Sequence, residues 1–144
     1  MTLARDMLAS HPRSPKLDLD DLAAAIGACL ECGQACTTCA DACLSEEPDA
    51  ALQRCAATDA QCADACFALA RALSRPSASS EAVTEHLLQA CVRACSECAE
   101  ECERHAEHHE HCRRCAEACR RCAQACTELL RDEVAEQMRR FQGG

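Results

Sequence analysis

The residues in this sequence that could do chemistry are thiols. CLECGQACTTCADAC, residues 29–43, places Cys29, Cys32, Cys36, Cys39 and Cys43 at spacings of three, four, three and four. CRRCAEACRRCAQAC, residues 112–126, repeats the pattern with Cys112, Cys115, Cys119, Cys122 and Cys126. Shorter versions lie between: Cys55, Cys62 and Cys66, then Cys91, Cys95, Cys98 and Cys102. On a helix these intervals put the sulfurs on one stripe, with Cβ atoms about 5–6 Å apart. Two thiolates at that separation can turn toward a single ion.

Thiolate is a soft donor and suits Cu(I), zinc and iron–sulfur clusters. Zinc uses closed sets of four ligands, and its CxxC pairs sit on tight turns. The five CxxC pairs here enclose helix-compatible residues, and only Gly33 would assist a turn. Iron–sulfur ligands come from loops at other spacings. Cu(I) accepts few ligands, and one thiolate can bridge two ions. A tube of thiols therefore suits Cu(I) best and could hold many ions. Zn(II) or Cd(II) sequestration of a metallothionein kind, or a thiol redox protein, remain alternatives. No nucleophile–base–orienter set stands out, so an enzyme is not expected.

The composition agrees with a metal-filled interior. The 144-residue chain is one domain's worth, and its 17 cysteines cannot all pair with one another. MTLARDMLASHPRSPK has no apolar run of signal-peptide length, and no stretch approaches a membrane span. A reducing cytoplasm is the expected setting, where dense cysteine means metal rather than disulfide. The net charge of −9, with one lysine, argues against nucleic acid and anionic membranes. There is no Trp or Tyr, and the only Phe residues are Phe67 and Phe141.

The elements that must position the thiols are helices. A short helix is expected over 2–10, then a linker broken by Pro12 and Pro15; residues 1–17 form this N-terminal unit. The bundle unit covers 18–144. Asp18 reads as an N-cap for a helix over 18–45. SEEP breaks it, with Pro48 in the first turn of a helix over 48–74. RPSASS, with Ser77 or Ser79 as cap, precedes a helix over 80–105. HAEHHEH is a third break or a kink before a helix over 109–140. Four such helices with short breaks predict an all-α, antiparallel up-down four-helix bundle with a short N-terminal helix.

Read at intervals of three and four, each helix shows one seam. The first is Leu22, Ile26 and Cys29 to Cys43. The second is Leu52, Cys55, Asp59, Cys62, Cys66, Leu69 and Leu73. The third is Thr84, Leu88, Cys91 to Cys102, His105 and His109. The fourth is His108, Cys112 to Cys126, Leu129 and Glu133. Every cysteine falls on a seam. Ala28, Ala35, Ala42, Ala65, Ala94, Ala118 and Ala125 each precede a cysteine; they favour helix and could let the helices approach closely.

Antiparallel order sets a polarity. Leu22, Ile26, Leu69, Leu73, Val83, Leu88, Leu129 and Val134 should form an apolar plug at one end. His105, His108, His109 and His111 should stand at the other, beside Cys43, Cys55, Cys102 and Cys112. Imidazole binds copper, so this end reads as the mouth. His111 sits off the main register. His11 and His86 read as surface residues. Asp59 holds a slot where cysteine is expected: it either caps or pairs with an arginine, or helps bind or pass copper near the mouth. Arg113, Arg114, Arg120 and Arg121 lie off the seam and read as a solvated outer face or a subunit contact.

The CxxCxxxCxxCxxxC helix at Cys29–Cys43 and Cys112–Cys126 resembles the bacterial copper storage proteins. The resemblance covers roughly 18–140. It implies a four-helix bundle whose cysteine-lined core binds many Cu(I) ions per chain. It also implies histidines at the mouth, an acidic residue such as Asp59 near it, and, for the cytosolic branch, a homotetramer.

Overall fold

The structure, a computed structural model, describes residues 2–77 and 80–143. The described residues form five helices: α1 (Thr2–Ala9), α2 (Leu19–Ser45), α3 (Ala50–Leu73), α4 (Glu81–Glu103) and α5 (Glu110–Gly143). There is no strand among the described residues. Each long helix packs on two neighbours, α2 on α3 and α5, and α4 on α3 and α5. The diagonal pairs make no comparable contact, as a four-cornered up-down bundle requires. α1 lies along α2 and buries Leu8.

The helix ends follow from capping chemistry. The Asp18 side chain accepts from Asp21 N, with Asp20 and Asp21 in the first turn of α2, where the helix dipole favours acids. α3 starts later than the sequence suggests. Asp49 takes the N-cap by accepting from Ala51 N, which leaves Pro48 before the helix rather than in its first turn. α4 is capped by Ser80, whose hydroxyl accepts from Val83 N. Ser77 therefore does not cap it, and Ser79 lies outside the described residues. HAEHHEH is a break, not a kink: α4 closes at Arg104, and residues 105–109 form turns closed by bonds such as His109 N to His105 O.

The core is sulfur. All 17 cysteines are buried and unpaired by disulfides. Seam positions Asp59, Thr84 and Glu133 are buried with them. The apolar plug needs correction. Leu22, Ile26, Leu69, Leu73, Leu88 and Leu129 are buried, but Val83 and Val134 are exposed. Thr84 and Glu133 hold the seam there, and Val83 and Val134, next to them in sequence, face outward.

One further expectation changes. α2 is long and apolar enough to cross a membrane by length and composition. Its cysteines and alanines supply that hydropathy, and its cysteine face is sealed against the other helices, so it is a core helix.

Candidate metal centre

The sulfurs meet both along and across helices. Along a helix, the Sγ pairs in hydrogen-bond contact are four residues apart. They are Cys32–Cys36 (3.9 Å), Cys39–Cys43 (4.0 Å), Cys91–Cys95 (3.9 Å) and Cys122–Cys126 (4.0 Å). The CxxC pairs, which stand out in the sequence, are not the closest neighbours. Across helices, Cys32 meets Cys119 at 3.7 Å, Cys36 meets Cys115 at 3.6 Å, and Cys55 meets Cys102 at 3.6 Å.

These contacts gather the thiols into overlapping sets of four. Cys29, Cys91, Cys122 and Cys126 have Sγ atoms within 4.8 Å of one another near the plugged end. Cys32, Cys66, Cys95 and Cys122 form the next set, then Cys32, Cys36, Cys62 and Cys119, then Cys36, Cys98, Cys115 and Cys119. Cys122, Cys32, Cys36 and Cys119 each belong to two sets. Adjacent sets share donors. The arrangement is a continuous column, unlike a series of closed tetrahedra.

Asp59 enters the column from α3. It is fully buried, and its Oδ1 accepts from the thiols of Cys98 (3.0 Å), Cys115 (3.3 Å) and Cys102 (3.4 Å). Its Oδ2 is buried with no hydrogen-bond partner among the described residues. Among the described residues no arginine bonds to it, so the arginine pairing that the sequence left open does not form. Burial, with the Cys115 sulfur close by, pushes its pKa up to about 7.

The mouth is made where α2 and α4 end and α3 and α5 begin. The set there is Cys39, Cys43, His111 and Cys112. His111 Nδ1 lies 3.4 Å from Cys39 Sγ and 3.6 Å from Cys112 Sγ. Hydrogen bonds, that with Cys102 foremost, hold the Cys112 thiol below its usual range, while burial pushes Cys43 up. His105 is half-buried, 3.3 Å from Glu101. His109 is half-buried against Glu46 at 3.4 Å. His108 is exposed and makes no side-chain hydrogen bond among the described residues. The seam thus leads out to His105 and His109, while His111, off the register, is the histidine that touches thiols. His86 is exposed, and His11 bonds only around the Arg13 backbone.

The arginines of α5 face outward. Arg113 pairs with Glu110 and Glu117, Arg114 with Glu110, and Arg120 with Glu103.

The profile of the copper storage proteins matches residues 18–131. The chain belongs to the copper storage protein family. The family match covers all four bundle helices through the last cysteine. The chain is similar to the copper storage protein Ccsp from Streptomyces lividans loaded with 10 copper equivalents. That structure shares 51% identity over 90% of this chain and 98% of the other, with a TM-score of 0.86. The H111A mutant of the same protein gives 53% identity over 81% of this chain and 98% of the other, with a TM-score of 0.79. A cytosolic copper storage protein from Streptomyces lividans, with five coppers, gives 48% identity over 90% and 97%, with a TM-score of 0.73. No curated protein matches.

Proposed function

We propose that this protein stores Cu(I) in the cytoplasm, holding many ions per chain on the thiolates of its core. The observation that carries this is the sharing of donors between adjacent thiol sets. A site that binds one ion and passes it on needs two or three ligands. A column in which one sulfur serves two sets suits an ion of low coordination number, repeated along the bundle. The ligands would be Cys29, Cys32, Cys36, Cys39, Cys43, Cys55, Cys62, Cys66, Cys91, Cys95, Cys98, Cys102, Cys112, Cys115, Cys119, Cys122 and Cys126, with Asp59 beside the outer sets. The cytosolic setting of the Streptomyces lividans relative supports the same setting here. Storage needs no turnover, and no catalytic role is assigned.

Copper would enter at the mouth through His105, His109 and His111, with His108 at the rim. Changing all four to Ala is expected to slow Cu(I) uptake more than it lowers capacity; stopped-flow mixing with a Cu(I) complex measures this, and an unchanged rate rejects the mouth. Association of copies into a homotetramer follows the cytosolic branch of the family. The exposed Val134, Met138 and Phe141 on α5 support contact between copies.

The storage reading is tested by anaerobic titration of reduced protein with Cu(I) against a competing chelator, beside a Zn(II) titration. Tight uptake of many Cu(I) ions per chain is expected. Saturation at a few ions, or tighter stoichiometric zinc binding, would overturn it.

A further inference from the structure

Both half-buried histidines on the α5 side of the mouth meet one carboxylate. Glu46 is the C-cap residue of α2, and its backbone is extended (φ −77°, ψ 170°). The chain leaves the helix there, and the Glu46 side chain reaches the start of α5. Its Oε1 lies 3.2 Å from His111 Nε2 and 3.4 Å from His109 Nδ1. The two imidazole rings stand side by side, with centroids 5.5 Å apart and planes inclined by 38°. One carboxylate oxygen has two lone pairs and can accept from both rings.

The two rings present opposite nitrogens to this oxygen. A neutral imidazole carries one N–H, and the nitrogen that donates to a carboxylate cannot also hold a metal. His111 donates from Nε2, which leaves the Nδ1 lone pair 3.4 Å from Cys39 Sγ and 3.6 Å from Cys112 Sγ. His109 Nδ1 lies 3.4 Å from the same oxygen, within ion-pair range, so the carboxylate favours a proton on Nδ1 and leaves Nε2 as the acceptor nitrogen. Carboxylates behind metal-binding histidines commonly fix tautomer and ring orientation in this way.

We propose that Glu46 is a positioning residue for copper uptake. It sets His109 to offer Nε2 and His111 to offer Nδ1, so one carboxylate aims two imidazoles, one at the incoming ion and the other at the first thiols. This rests on the storage reading for its purpose, but the tautomers belong to the copper-free protein. His109 is the diagnostic residue, because an unconstrained imidazole favours the Nε2–H form and Glu46 imposes the other.

The test compares wild type, Glu46→Gln and Glu46→Ala, with histidine ring nitrogens labelled. Nitrogen NMR of the copper-free protein at about pH 8, where histidine is neutral, reads each tautomer. Glutamine keeps an acceptor and loses the charge; alanine loses both. His109 is expected as Nδ1–H in wild type and Glu46→Gln, and as Nε2–H in Glu46→Ala. Uptake of the first Cu(I) equivalent should slow about 10-fold in Glu46→Ala and stay near wild type in Glu46→Gln. An unchanged His109 tautomer in Glu46→Ala would overturn the proposal. So would equal slowing in both variants, which would mean that the charge attracts copper and the geometry is incidental. Total capacity, read in the same titrations, is expected to stay at the wild-type value, and its loss in wild type would count against storage alone.

Discussion

At the scale of single residues, Asp59 is the exception in a wall of thiols. Its slot on α3 is a cysteine slot by spacing, yet a carboxyl fills it, fully buried, with one oxygen unpartnered among the described residues. In the unfolded chain this group titrates near 3.9; in the folded, copper-free protein it titrates at about 7. The folded state therefore keeps a proton that the unfolded chain releases, and stability falls as pH rises from about 4 to about 7. The loss is complete above the folded pKa and is on the order of 4 kcal/mol. Asp59→Asn keeps the oxygen acceptor and removes the charge. Its denaturant midpoint should exceed wild type at pH 8 and converge on it below about pH 4. Parallel pH profiles would show that burial does not control this carboxyl. The sequence placed Asp59 on the seam but left open an arginine partner. A helical period tells which face a residue takes; it is silent on what stands opposite. His111 shows the same limit. It lies off the α5 register, and its partners Cys39 and Glu46 lie on α2 and at its C-cap, so only the pairing of helices brings them together.

At the scale of the helix, periodicity made the seams legible because a sulfur at every third or fourth residue is a strong signal. The small residues beside them were read less well. Alanines that precede cysteines are mostly half-buried, Ala118 excepted, whereas most small residues that follow them are buried: Gly33, Ala56, Ala63, Ala99 and Ala116, though Ala40 and Ala123 are half-buried. Gly33 is not a turn residue but a space within α2. A Cβ there would stand 2.7 Å from two atoms of the Phe67 ring on α3. Glycine in a helix costs about 1 kcal/mol relative to alanine, so Gly33→Ala alone gains propensity and displaces the ring. The substitution is expected to destabilise wild type by about 1 kcal/mol, as other overpacked sites do. In a Phe67→Ala background, where the clash is gone, it should stabilise by up to about 1 kcal/mol. Urea unfolding of the four proteins in this cycle gives the answer, and the same sign in both backgrounds would contradict the packing role. Caps were legible where an acidic residue stands just before a periodic run, as at Asp18. They were missed at Asp49 and Ser80, where several candidates crowd one short break.

At the scale of the whole molecule, the bundle has an apolar plug at one end, thiols through the middle and imidazoles at the other end. Ordinary large apolar side chains gather mainly in the plug, where Leu22, Leu69, Leu88 and Leu129 are almost wholly buried, with Leu52 buried at the mouth end of α3. Copper should therefore complete the core. Binding replaces thiol protons and ties α2, α3, α4 and α5 to one another. Loaded protein is expected to melt roughly 10 °C or more above copper-free protein by calorimetry under anaerobic conditions. Equal melting temperatures would mean that the ions do not bridge helices. The up-down order, and with it the polarity, could be read from four long periods and three short breaks. The overlap of the thiol sets could not, because it depends on the stagger between neighbouring helices.

That overlap is the central claim, and native mass spectrometry of fully loaded protein under anaerobic conditions tests it most directly. Separate closed sets of four thiolates would limit a chain with 17 cysteines to four ions. Shared thiolates predict a loaded species well above four Cu(I) per chain. Saturation at four or fewer would contradict the shared column and return the core to isolated sites.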